Sequence, residues 1–221
     1  MKILALIFVA IVPSTVNCQT ITKMPLSNEE RAKGIVSKYG YFPKKIFHQD
    51  RMLVLFKNGR YEYSEANPPY DFYSAGTWRI SNKNLVLNSD LKQDKIPIKI
   101  KHVLDSTVKP RTKIAEIFDK YGTARISAHV LINNDSTYCI PMLLSCTGTF
   151  EKIERIKVLF GNQMSSEWIN VDDRPYERLD IIVDADVNVM NYIPLENRRF
   201  PLKGNSLTIN WDPLPKLKMN N

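Results

Sequence analysis

Phe56-Lys57-Asn58-Gly59-Arg60-Tyr61, flanked by Met52-Leu53-Val54-Leu55 before and Glu62-Tyr63 after, decides the fold class. An Asn-Gly pair tolerates the two positive φ values of a two-residue hairpin turn. With Asn58 and Gly59 at the tip, Phe56 faces Tyr61 and Val54 faces Tyr63 on an apolar side, while Leu55/Glu62 and Lys57/Arg60 share a mixed one. Residues 77–80 and 85–88, joined by Ser81-Asn82-Lys83-Asn84, form a second hairpin that sets Trp78 and Ile80 against Leu87 and Leu85. Two hairpins in succession make an antiparallel meander. They build a core and carry no chemistry.

Upstream, Met1-Lys2 and the apolar run 3–12, broken by Pro13, have the make-up of a secretory signal peptide, too short to span a bilayer as a helix. Export to a periplasm or cell envelope is the expectation. Thr15-Val16-Asn17-Cys18 resembles the lipobox of bacterial lipoproteins, which implies a lipid on Cys18; Thr15 and Asn17 depart from the residues that motif favours. Cleavage after Cys18, exposing Gln19, is the alternative, and both stay open.

The chain of 221 residues is 43% hydrophobic and carries a formal charge of +8, so it can bury a core and is not disordered. Outside the cytosol that charge points to lipid head groups or acidic glycans rather than nucleic acid. With Cys18 removed or lipidated, Cys139 and Cys146 remain as an even pair able to form a disulfide if the chain bends between them.

In order along the chain, residues 19–25 read as an extended tether. Ser27-Asn28-Glu29-Glu30 has capping-box spacing and opens a helix expected to reach Gly40. Ile96, Ile98 and Ile100 alternate with Pro97, Lys99 and Lys101 on an edge strand, whose lysines form a basic stripe. Between the hairpins, Tyr70, Phe72 and Tyr73 could line a binding mouth, with Trp78 beside them. Strand, Asn-Gly, aromatic strand, Gly76-Thr77-Trp78 and Leu85-Val86-Leu87-Asn88 together resemble the lipocalin-like β-meander modules of exported bacterial envelope proteins, over residues 52–103. The resemblance implies an up-and-down barrel, half-open or complete, with an apolar cavity; it carries over no ligand.

Beyond Lys109-Pro110-Arg111 a short helix is expected within 113–120, then alternation from Ala124 to Ile132, a turn at Asn133-Asn134-Asp135-Ser136, and a return that places Cys139 opposite Val130. Further strands are expected within 155–160, 168–171, 178–189 and 206–211. The fold class is mainly β: a lipocalin-like antiparallel meander or barrel plus a C-terminal antiparallel sandwich-like module, with one short N-terminal helix. The corresponding division is signal peptide 1–18, tether and helix 19–50, meander 51–110, C-terminal module 111–215 and tail 216–221.

No catalytic motif, metal-binding spacing or cofactor loop is present in the sequence. Asp172, Asp173, Asp180, Asp184 and Asp186 are the one acidic concentration, and alternation with Leu179, Ile181 and Val183 places Asp180, Asp184 and Asp186 on a wet strand face. His48, His102 and His129 are far apart. A non-enzymatic binding or structural role follows, with a small apolar ligand near Tyr70, Phe72, Tyr73 and Trp78. One alternative is a hydrolase of an envelope polymer using a carboxylate pair from Asp172, Asp173 or Asp184. The other is a subunit of a surface complex that presents the edge strand and its basic stripe.

Overall fold

A computed structural model describes residues 18–42, 50–67, 70–104, 114–123, 125–143, 145–174 and 178–210. Residues 1–17 of the expected signal peptide 1–18, and the expected tail 216–221, lie outside the described residues. In chain order the elements are β1 (Cys18–Met24), α1 (Asn28–Ala32), β2 (Ile35–Tyr41), β3 (Asp50–Phe56), β4 (Arg60–Asn67), β5 (Tyr70–Ser81) and β6 (Asn84–Ser89). There follow β7 (Ile98–Val103), β8 (Ile114–Phe118), β9 (Ala128–Ile132), β10 (Tyr138–Ile140), β11 (Ser145–Thr147), β12 (Arg155–Phe160), β13 (Ile169–Asn170), β14 (Arg178–Val183), β15 (Arg198–Lys203) and β16 (Ser206–Asn210).

Eight of these strands close an antiparallel barrel in the order β1-β16-β15-β6-β5-β4-β3-β2. The protein is mainly β, and its barrel is complete. The chain is shared out differently from the linear division above, because residues 90–197 are inserted between β6 and β15 and both flanking parts build one barrel. Residues 19–25, expected as a tether, lie largely in β1, held by β16 on one side and β2 on the other.

The expected helix is cut short. Ser27 caps α1 with the full reciprocal box, but Gly34 at φ +82° turns the chain, and Ile35–Tyr41 becomes β2. Ala32, Ile35, Val36 and Tyr39 do fit a helical stripe. Pairing with two neighbouring strands satisfies more backbone, and β-branched and aromatic residues suit a strand.

The first hairpin is slipped by one residue from the expected register. Leu55 faces Tyr61 and Leu53 faces Tyr63. Gly59, at φ +79°, is the only positive-φ residue of the turn, so the loop has three residues rather than two. One residue of slip turns every β3 side chain over. Leu53 and Leu55 are buried instead of Val54 and Phe56, beside fully buried Tyr61 and Tyr63. The second hairpin keeps its expected register, Trp78 to Leu87 and Ile80 to Leu85, with both Asn82 and Lys83 at positive φ. Ile80 nevertheless lies at the barrel end, 63% exposed.

In the insert, a five-stranded sheet in the order β11-β10-β9-β12-β13 faces a three-stranded one in the order β7-β14-β8. Val130, Ile132, Ile156 and Val158 from the first meet Ile98, Ile117, Leu179 and Ile181 from the second in one core. The sandwich is not wholly antiparallel, since β8, expected as a helix, pairs parallel to β14. Asp180, expected on a wet face, is 6% exposed and held by Arg178, Nε to Oδ1 3.0 Å. Tyr192 seams insert to barrel: its hydroxyl donates to Ala75 O at 2.7 Å, and Ile193 N donates to Tyr73 O at 2.8 Å.

Cys139 sits opposite both Val130 and Cys146, and the 3-10 turn Pro141–Leu143 reverses the chain so that the two cysteines are joined by a disulfide. Closing this short loop contributes about 2.5 kcal/mol through the unfolded state. Cys139→Ser/Cys146→Ser is therefore expected to lower the urea midpoint relative to the oxidised parent. Equal midpoints would show that the crosslink adds nothing to stability.

Candidate functional site

At the end of the barrel reached by the last residues of β4 and the first of β5, a cleft of about 350 Å³ opens over β3, β4 and β5. Phe42, Met52, Ser64, Ala66, Asp71 and Phe72 are among its lining residues. The register explains the floor: Gly40, Met52 and Ser64 form one row, and Asp50, Ala66 and Asp71 the next. Successive strand residues alternate faces, so these rows point away from the barrel interior, where Leu53 and Tyr63 lie. Phe42 folds back along β2 over Gly40, where an added Cβ would sit 2.5 Å from its Cε2 and 2.7 Å from Met24 Sδ. The missing side chain makes room for the ring.

Two further lining residues, on the inward face, form a buried charge pair. Arg51 and Glu65 are 5% and 8% exposed, with Arg51 Nε 3.0 Å from Glu65 Oε2 and Nη2 donating to Oε1 at 3.2 Å. The Tyr63 hydroxyl donates to Oε2 at 2.8 Å. Burial, reinforced by the neighbouring Glu65 charge, pushes the Tyr63 phenol far above its ordinary range, so it stays a proton donor. Deeper in, Tyr61 and Ser74 share a hydrogen bond of 3.0 Å, and burial raises the Tyr61 phenol likewise. The interior is thus occupied by tyrosine rings and leucines, with polar tips mutually satisfied.

Of the four aromatics singled out from the sequence, the three whose side chains are described go to three different places. Phe72 reaches the cleft. Tyr70 begins β5, and its side chain lies outside the described residues. Tyr73 faces the insert and packs edge-on against Tyr192, ring centroids 5.7 Å apart at 73°. Trp78 is half-buried against the barrel core, its Nε1 donating to Phe56 O at 3.0 Å. Sequence reasoning missed Met52 and Ala66, because the register slip carries Met52 from the expected inner face to the outer one.

Each candidate acid has a cation of its own. Arg174 Nη2 lies 2.7 Å from Asp172 Oδ2 and holds that carboxyl below its usual range, with His102 Nε2 3.0 Å from Oδ1. Asp173 pairs with Lys152. Lys99 Nζ, 2.7 Å from Asp184 Oδ2, lowers that carboxyl too. A general acid needs a raised pKa, and these two move the opposite way. His129 stacks on Tyr138, centroids 5.4 Å apart. Among the described residues no group of three or more His, Cys, Asp or Glu side chains is placed to hold a metal. The basic stripe is partly neutralised, because Lys99 pairs with Asp184; Lys95, just before the strand, likewise pairs with Glu167.

No protein-family model, no curated protein and no solved structure matches the chain.

Proposed function

We propose that the protein is exported to the bacterial cell envelope and is a non-enzymatic binding protein that seats a small apolar ligand in the cleft beside Phe72. The cleft itself carries this reading: about 350 Å³ falls in the range of small-molecule sites, and Phe42, Met52, Ala66 and Phe72 offer apolar contact, while Asp50, Arg51, Ser64, Glu65 and Asp71 line it with polar groups that can orient a ligand. A cysteine pair joined within one hairpin suits an oxidising compartment, in keeping with the leader-like residues 1–17. The closed barrel supports the lipocalin-like resemblance, although the ligand would sit at the barrel end, between the outward row of Met52 and Ser64 and the inward row of Arg51, Glu65 and Phe72.

The test is a titration of residues 19–221 with an anilinonaphthalene dye that fluoresces in apolar surroundings. Saturable binding is expected, and Ala66→Trp, which fills the cleft from its floor, should weaken it at least about tenfold, or 1.4 kcal/mol, with the thermal midpoint unchanged. Parental affinity in Ala66→Trp would defeat the assignment. The intact mass of the protein from its host decides the attachment: a chain starting at Gln19 is soluble, and one starting at an acylated Cys18 is tethered.

A further inference from the structure

The end of the barrel opposite the cleft is a cationic pole. The turns at Lys57-Asn58-Gly59, Asn82-Lys83 and Gly204-Asn205 lie there together with α1 and the end of β1. Backbone hydrogen bonds stitch them into one surface: Lys57 N donates to Gly34 O at 2.8 Å, Trp78 N to Gly59 O at 2.8 Å, Leu202 N to Lys83 O at 3.0 Å and Lys23 N to Asn205 O at 2.7 Å. Lys23, Arg31, Lys57, Arg79, Lys83 and Lys203 are all exposed on these segments, and none has a carboxylate partner among the described residues. Three acids nearby in sequence are taken, Glu29 by Lys33, Glu30 by Lys38 and Asp90 by Arg60, and Glu62 is exposed on the β4 wall opposite Ala75. The insert is different: seven of its described cations, Lys95, Lys99, Lys120, Arg125, Lys152, Arg174 and Arg178, pair with carboxylates. Ile80, 63% exposed, stands among the unpaired charges.

We propose that this pole docks on a membrane surface rich in anionic lipid, with Ile80 entering the head-group layer. Cations spread over separate turns of one barrel end match an extended plane of negative charge, whereas a compact anion needs them to converge. An isoleucine protruding from such a ring gains by leaving water only if the plane has an apolar layer beneath its charge. Cys18 is at the other pole, paired with Asn210, because β1 runs its seven residues, about 20 Å, between them. A lipid there would hold the basic pole away from its own membrane, so a tethered form would bridge two surfaces. This inference stands independently of the cleft.

The experiment is flotation of residues 19–221 with vesicles of phosphatidylcholine alone or with about 30% phosphatidylglycerol, at low and at physiological salt. Binding is expected only to the anionic vesicles and should weaken with salt. Lys57→Gln/Lys83→Gln/Lys203→Gln should lower partition about a hundredfold, while Lys95→Gln/Lys101→Gln/Lys157→Gln, an equal charge change on the insert, should lower it far less. Ile80→Ser, which leaves the charge alone, should cost about fivefold. Equal losses in the two triple variants, or an undiminished Ile80→Ser, would overturn the proposal. So would binding to a soluble polyuronate without binding to vesicles, which would assign the pole to an acidic glycan. Thermal midpoints of all variants, read alongside, separate lost docking from lost folding.

Discussion

Glu65→Leu is expected to lower the unfolding free energy by about 3–5 kcal/mol, because it leaves the Arg51 guanidinium in the barrel without its carboxylate. The charge cannot be shed by deprotonation, since an arginine stays protonated at any accessible pH. Arg51→Met/Glu65→Leu should recover most of the loss, as apolar pairs of similar volume commonly replace buried ion pairs at little or no cost. Urea unfolding of the parent, the single and the double variant gives the comparison directly. A single variant as stable as the parent would mean that Arg51 reaches water through the cleft it lines.

Gly76→Ala is expected to cost about 3 kcal/mol, at the upper end for overpacking. An added Cβ would lie 2.2 Å from Asn88 O and 2.7 Å from Ser89 Cα, both backbone atoms of the paired strand β6. Backbone cannot swing aside as a side-chain tip can, so β5 and β6 must part locally and give up ladder hydrogen bonds. Gly59 is the contrast. A Cβ there meets nothing within 4 Å, but φ is +79°, so Gly59→Ala should lose only about 1 kcal/mol through backbone strain. If Gly59→Ala proved the more damaging in thermal unfolding, close approach of β5 to β6 would not be what Gly76 serves.

Several pairings could be read from the sequence because they are local. Trp78 to Leu87 and Cys139 to Val130 are joined through short polar turns, and a short turn with a period-two pattern fixes its own register. The first hairpin failed by one residue because Asn-Gly serves equally in a two-residue turn and in a three-residue loop that needs only one left-handed residue. The closing of the barrel left no trace of this sort. Nothing in Cys18-Gln19-Thr20-Ile21 names Leu207 or Ile209 as its partner, and a strand read without a partner looks like a tether. For the same reason Phe72 was legible as a site residue from its aromatic character, whereas Met52 and Ala66 depend on which way their strands face.

The pairing of β1 with β16 also orders events in time. Chains emerge from the ribosome, and from an export channel, amino end first. β1 through β6 would be out while residues 198–210 were still inside, leaving an open six-stranded sheet with two unpaired edges. Such edges invite pairing with other chains. The insert needs no barrel strand to complete its two sheets, so it can form during this delay. A holding chaperone that covers the edges of β1 and β6 until β15 and β16 arrive would raise the yield of this protein more than one that recognises the insert.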